Sequence, residues 1–492
     1  MYFLGIDLGS SSVKIALVEK QTGKPVAVVH EPKTEMGMYA QRTGWAEQDP
    51  EEWWQHICKG IKRVIKENTI DNNTIKGIGI SYQMHGLVAV DSDGQVLRHS
   101  IIWCDSRAVA IGEASYETLS KKWCDTHLLN APGNFTASKL RWVQMNEPEI
   151  YARIHKIMLP GDYIAYRFTD KMNTTISGLT EGVFWNFKSD SLADELLEHY
   201  GIESTLFPEI VETFAQQGIL SERGAMQSGL LAGTPILYRA GDQPNNALSL
   251  NVFKPGEIAA TGGTSGVMFA VTDNLSTVAC DQVNNFAHVN YHPDAKRIGK
   301  LLCINGAGIL YRWLKDNLDV NGYEEMNELA QAIEIGAEGV TIIPFGNGAE
   351  RMLKNKVIGT RILHLDLNRH HKGHICRAAL EGIAFSFVYG FEIMKGDGIS
   401  PSVLKVGNDN LFRSQLFCDT IATLIGQPIE IYTTTGAIGA ARACTIHDGG
   451  LEAFSSMITY DFERICHPLE GKSSYQEAYL RWKKELEIIL KT

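Results

Sequence analysis

No Cys-x-x-Cys pair occurs in the 492 residues, and the nine cysteines (Cys58, Cys104, Cys124, Cys280, Cys303, Cys376, Cys418, Cys444 and Cys466) are spaced singly. That spacing argues against zinc ribbons and redox pairs. It suits reduced thiols packed as small hydrophobes, most of them within apolar stretches. Gly-x-x-x-x-Gly-Lys-Ser/Thr, a complete Gly-x-Gly-x-x-Gly after a strand, and His-Glu-x-x-His are absent too. P-loop, dinucleotide-binding and zincin sites are therefore set aside. No run approaches the roughly eighteen apolar residues that a membrane span needs. The amino terminus MYFLGIDLGSSSVK has neither a basic leader nor a small-residue cleavage site, so a cytoplasmic protein without a membrane partner is expected. Basic residues are in deficit, with 46 Lys and Arg against 57 Asp and Glu and a net charge of −11. Nucleic acid is a poor partner for such a chain, because its binding rests on phosphate neutralisation. A nucleotide is not excluded, since backbone amides and a metal ion can hold a triphosphate.

What is present describes a globular protein, 44% hydrophobic and 21% charged. Its length calls for two large domains, each with its own core. YFLGID, SVKIALVEK and KPVAVVHE read as three successive strands, the last two joined at Thr22-Gly23-Lys24. Asp49 then offers an N-cap, Pro50 a first helical residue, and Glu51 and Glu52 a first acidic turn. Trp53, Ile57, Ile61 and Val64 follow at helical spacing, which predicts a helix over about 50–67. IKGIGIS reads as a strand, LVAVDSDGQVL as a hairpin around Asp93-Gly94, and SIIWCD as another strand. A meander followed by alternating strands and helices predicts a mixed α/β sheet with helices packed on it.

The opening pattern recurs: GEIAATGGTSGVMFAVTD is again strand, Gly/Thr/Ser turn, strand, beginning near residue 256. Two related halves are expected, 1–247 and 248–492. In the second half VTIIPF and VLKVG read as strands. CRAALEGIAFSFVYGFEIM reads as a helix whose Leu380, Ile383, Ala384, Phe387, Val388 and Phe391 form a core face.

The chemistry gathers on two turns. Asp7 ends the first strand and is followed by Gly9, Ser10, Ser11 and Ser12; a strand-end carboxylate with free amides and hydroxyls suits Mg2+ and a phosphate. The second turn runs Thr261-Gly262-Gly263-Thr264-Ser265-Gly266. Two such turns, one per half, can close on one triphosphate from opposite sides of a cleft.

These motifs resemble the FGGY family of carbohydrate kinases over nearly the whole chain. GIDLGSSSVK is similar to the family's first phosphate loop, ATGGTSGVMFA to its second, and GAIGAARA to its late glycine/alanine-rich helix. The resemblance implies an actin-like, ribonuclease H-like ATPase fold of two domains with a cleft. The N-terminal domain would hold the sugar and the C-terminal domain the nucleotide. It implies ATP as co-substrate, Mg2+ held through water by Asp7, and nucleotide contacts at Gly9, Ser10, Ser11, Ser12, Lys14, Gly263, Thr264, Ser265, Gly407 and Asn410. AGDQPNNALSL is similar to the segment of the catalytic base, which falls on Asp242. GWAEQDPEEWW, ISYQMHG and IIWCDSRA resemble the members acting on xylulose, implying sugar contacts from Met84, His85, Asp105 and Asp242.

Two segments depart from the family pattern. Val406-Gly407-Asn408-Asp409-Asn410 keeps one glycine of a usual triplet near the adenosine. Gly348-Ala349-Glu350-Arg351-Met352 lacks a usual Thr-Pro and is assigned no chemistry. Simpler roles stand beside the functional ones: His85 as a core histidine, Asp105 as the partner of Arg107, Asp242 as a helix N-cap. Packing accounts for Trp53 and Trp54 better than for Trp45. Kinases of gluconate, ribulose or glycerol, a sugar sensor without turnover, and chaperone or filament ATPases remain the alternatives. A homodimer is compatible with the sequence.

Overall fold

The computed structural model describes residues 1–491. Two large sheets repeat one design. In the first, strands Tyr2–Leu8, Val13–Glu19 and Pro25–Glu31 form an antiparallel meander. Ile75–Tyr82 and Pro235–Gly241 extend it in parallel beyond Tyr2–Leu8, and Gly218–Ile219 closes the edge antiparallel. In the second, Glu257–Gly262, Gly266–Thr272 and Ile298–Ile304 make the meander, with Asn284–Ala287 added at its edge. Val403–Gly407 and Ile429–Tyr432 are the parallel strands and Phe462–Cys466 the antiparallel edge. The two halves expected from the recurring turn are thus two copies of one sheet plan, each with parallel strands that need helical crossovers.

The predicted helix forms over Pro50–Glu67. The Asp49 carboxylate accepts the Glu51 N–H at 2.9 Å, and Trp53, Trp54, Ile57, Ile61 and Val64 are buried. Lys372–Gly396 is the long helix of the second core, with Leu380, Ile383, Ala384, Phe387, Val388 and Phe391 all buried. VTIIPF and VLKVG form the strands Thr341–Ile343 and Val403–Gly407.

Two local expectations change. The hairpin around Asp93-Gly94 forms only as a short ladder: Gly94 N–H bonds to Asp91 O at 3.0 Å, Asp91 N–H to Gln95 O at 3.0 Å and Leu97 N–H to Ala89 O at 2.9 Å. Val88–Val90 also pairs with the distant strand Lys156–Met158, which is its longer partner, while a single bridge links Val90 to Val96. Burial decides this: Val88, Ala89 and Val90 are fully covered, and a lone hairpin cannot hide both faces of a strand. SIIWCD likewise shrinks to the strand Ser100–Ile101, beside Glu47–Gln48.

The helix Gly436–Ala443 leaves the second half and packs against the first sheet. Phe3, Ala16, Val18 and Leu237 form one apolar cluster with Ala437, Ile438, Ala441 and Cys444. The buried Arg442 donates to Gly23 O at 2.7 Å and pairs with Asp461. The expected division at residue 247 falls inside the helix Asp242–Ser249, which packs on this returning helix. Seven of the nine cysteines are buried and all nine are unpaired. Among the described residues no helix is long and apolar enough to cross a membrane.

Candidate active site

Parallel strands end together, and their carboxyl ends are where an open α/β sheet collects ligand-binding side chains. In the first sheet Asp7 pairs in register with Ser81, and Ser81 with Ala240. The ends of three strands therefore bring Asp7, Met84, His85 and Asp242 to one edge. Ser81 Oγ donates to Asp7 Oδ1 at 3.0 Å and Lys14 Nζ lies 3.5 Å from Asp7 Oδ2.

Asp242 is the first residue of the helix Asp242–Ser249, and the N-cap is Gly241. The capping role considered for Asp242 is thereby corrected, because strand Pro235–Gly241 runs straight into the helix with no residue between them. Burial and then the Asp7 carboxylate push the Asp242 carboxyl up to about 7. Two carboxylates whose charges act on each other, with Lys14 as the adjacent cation, are a donor set that suits a hydrated Mg2+. The Gly436 end of the returning helix closes the site from the side. A Cβ there would lie 3.0 Å from Asp7 Oδ2, and Asn245 Nδ2 donates to Gly436 O at 3.0 Å.

The first turn is held from behind. Gly9 N–H bonds to Ser12 O at 3.1 Å, Ser11 O accepts from Met36 N–H at 2.8 Å, and Gln48 Nε2 donates to Ser10 O at 2.7 Å. The second turn is anchored the same way: Gly263 O and Thr264 O accept from Gly308 and Ile309 N–H at 3.1 and 3.0 Å. With their carbonyls used, these turns have amides and hydroxyls of Ser10, Ser11, Ser12, Thr264 and Ser265 at partly or fully exposed positions. Asn410 Nδ2 would stand 3.8 Å from a Cβ on Gly263, so Asn410 joins the second turn, and Gly407 ends the neighbouring parallel strand. The Lys14 ammonium acts on both Asp242 and Asp409, which sets the first turn opposite the 407–410 segment.

His85 has φ +62°, and its Nδ1 lies 2.8 Å from Glu181 O. A carbonyl only accepts, so Nδ1 carries the proton and Nε2 is left as an acceptor. Burial and the Lys139 ammonium push His85 down to about 3, so the ring is neutral. Phe135 and Phe286 pack on it at 5.0 and 5.4 Å between centroids. Asp105 acts on Lys139, which in turn bonds to His85 O, but its own oxygens are engaged. Its side chain is 0% exposed, and its oxygens accept from Arg107 at 2.6–3.0 Å and from Ala46 N–H at 2.6 Å. Arg107 also lies 3.7 Å over the Trp45 ring, while Trp53 and Trp54 are core residues.

Several residues of the site escape sequence reasoning. Lys139 and Glu181 are charged residues buried beneath the cleft, and hydropathy patterns assign such residues to the surface. Trp103, 51% exposed, has its indole N–H 3.4 Å from Ser10 Oγ. Glu350 accepts the N–H groups of Asn305 and Gly306 at 2.9–3.1 Å, and burial pushes its carboxyl up to about 7. It thereby holds the turn between strand Ile298–Ile304 and helix Gly308–Asn317.

The Asp242 shift predicts a pH dependence. If an ionised Asp242 is required, kcat/KM for the sugar should climb about tenfold per pH unit up to about pH 7 and then level off. A pH series at saturating nucleotide checks this, and an acid limb near pH 4 would remove the role.

The profile of the FGGY family's N-terminal domain matches residues 2–249 and that of its C-terminal domain residues 258–447. Xylulose kinase from Escherichia coli (strain K12) is 28% identical over 452 residues, 90% of each chain. Xylulose kinase from Bacillus subtilis (strain 168) is 29% identical over 92% of this chain and 89% of its own. A crystal structure of a xyloylose kinase from Brucella ovis superposes with a TM-score of 0.88 at 26% identity, covering 99% of both chains. The doubled sheet, the paired turns and these matches together establish that the chain belongs to the FGGY family of carbohydrate kinases.

Proposed function

We propose that this protein transfers the terminal phosphoryl group of ATP to a sugar hydroxyl, with D-xylulose phosphorylated at its 5-hydroxyl as the substrate. The observation that carries this reading is Asp242. It is an acid at the start of a helix, raised to about 7 by burial and by Asp7, at the strand-end edge from which the first Gly/Ser turn leaves. An acid poised near neutral pH is suited to receive a proton from an attacking hydroxyl. Phosphoryl transfer needs little more from the protein than alignment and charge stabilisation. Asp242 accepts the hydroxyl proton. Met84 and His85 orient the sugar, His85 through its neutral Nε2. Asp105 supports them by fixing Arg107 and the Ala46 backbone. Amides and hydroxyls of Gly9, Ser10, Ser11, Ser12, Gly263, Thr264 and Ser265, with Lys14, take up phosphate charge. Gly407 and Asn410 line the nucleotide side. Asp7 would hold Mg2+ through water, and that ion when bound would neutralise phosphate charge. Closing the two lobes excludes water, whose phosphorylation is the wasteful reaction. The unpaired thiols suit a reducing cytoplasm.

Two of the similar proteins act on xylulose by name, which supports the choice of sugar. A coupled ADP-release assay with Mg-ATP across ketoses, aldoses, polyols and gluconate tests it. D-xylulose should give the highest kcat/KM, well above the sugar-free rate. A higher value for ribulose, gluconate or glycerol would replace the substrate and leave the class. Sugar binding without turnover across the whole panel would make the protein a sensor.

A further inference from the structure

Lys139 lies in the helix Thr136–Asn146 and is 0% exposed. The acid that acts on it most strongly, Asp105, is already tied to Arg107. Its ammonium donates instead to two backbone carbonyls, His85 O at 2.8 Å and Ile102 O at 3.0 Å. Burying an ammonium against carbonyls alone costs several kcal/mol, and burial accordingly pulls Lys139 down to about 7. A methionine would fill the same space without that cost, so packing does not account for the lysine.

The cost maintains an unusual conformation. His85 is in the left-handed region, which is unfavourable for a residue with a Cβ and persists only where the surroundings impose it. Lys139 fixes the carbonyl end of His85, and the Glu181 carbonyl fixes its ring. Phe135, four residues before Lys139 and N-cap of the same helix, packs edge-on to the imidazole. One helix start thus sets both the backbone and the ring plane of His85.

We propose that Lys139 is a positioning residue for sugar phosphorylation, locking the backbone at His85 so that the imidazole Nε2 meets a sugar hydroxyl in one fixed orientation. The proposal rests on the reading of His85 as a sugar contact, and the experiment separates the two. Lys139→Met, Lys139→Gln, His85→Ala and the two double variants of the full chain are compared for kcat, KM for D-xylulose and KM for ATP. Removing the buried donor should raise the sugar KM about tenfold, with kcat and ATP KM within about twofold. Lys139→Gln, which keeps N–H donors, should recover part of the loss. On the His85→Ala background, either Lys139 change should add less than about twofold, because a residue acting through His85 has nothing left to position.

Losses that multiply on that background overturn the proposal. So does an unchanged sugar KM in Lys139→Met while His85→Ala raises it, or a matching loss in the ATP parameters, which marks a merely structural role. If His85→Ala itself leaves the sugar KM unchanged, the sugar-contact reading has failed and the proposal falls with it. Should Lys139→Met not fold, the Lys139→Gln pair decides by the same criteria.

Discussion

Asp242→Asn is expected to fold, to bind Mg-ATP and sugar, and to lose about 100-fold to 10,000-fold in kcat, the range typical for removal of a general base. Asn keeps the size of the side chain and its hydrogen bond near Gln243, but it does not accept the hydroxyl proton. Stability supplies a second, independent readout. The folded chain keeps the Asp242 proton to about pH 7, whereas the unfolded chain releases it near the ordinary value of 3.8. The folded state therefore binds more protons between those values, and stability falls as pH rises from about 4 to about 7. Without ligands at pH 8, the ionised carboxylate beside Asp7 is a net burden that Asn removes. Asp242→Asn should accordingly melt at a higher temperature than the parent at pH 8, and the difference should shrink toward pH 4. Near-parental turnover would end the catalytic role and send the search for the base to Asp7. A lower melting temperature at pH 8 would contradict the electrostatic account.

Gly79→Ala, like Gly5→Ala on the neighbouring strand, is expected to be a severely damaging single-methyl change in the first sheet. Gly5 and Gly79 are register partners on adjacent parallel strands, and the helix Gly436–Ala443 lies directly across them. A Cβ on Gly79 would stand 1.9 Å from Ala440 O, and one on Gly5 1.9 Å from Ala437 O. Both obstacles are backbone atoms, so no side-chain rotation relieves them and the helix itself has to rise from the sheet. Overpacking of this kind costs about 3 kcal/mol or more. Because the same helix brings Gly436 against Asp7, activity should fall together with stability. Thermal melting and turnover of Gly79→Ala check this, with Gly37→Ala as the control, since a Cβ at Gly37 has nothing within 4 Å. A Gly79→Ala protein that melts and turns over like the control would show that the helix seats differently.

Much of this was legible in the residues because it depends on short-range physics. Asp49 and Pro50 mark a helix start by their own backbone preferences, and the spacing from Trp53 to Val64 marks its buried face. The two Gly/Ser/Thr turns announce themselves by composition, and their repetition foretold the doubled sheet. The strand-end position of Asp7 was readable for the same reason, whereas Asp242 was picked out by the family resemblance and its strand Pro235–Gly241 appeared only in the structure. Val88–Val90 was readable only in part: the local turn at Asp93-Gly94 points to its pairing toward Val96, whereas its longer partner, Lys156–Met158, lies more than sixty residues on.

The charged residues divide along the same line. The sequence by itself determined which side chains end the strands and which turns have free amides, because chain direction and turn chemistry are local. Only the tertiary structure decided that Asp105 is buried with its oxygens on Arg107 and Ala46, that Lys139 is buried under His85, and that burial, with the Asp7 charge added, lifts the Asp242 carboxyl to about 7. It also decided that Gly436–Ala443 crosses back to the first sheet. Burial and proximity are properties of a packed core. Lys139 reaches His85 across 54 positions and Asp7 meets Asp242 from the other end of the domain, and no local pattern specifies such neighbours.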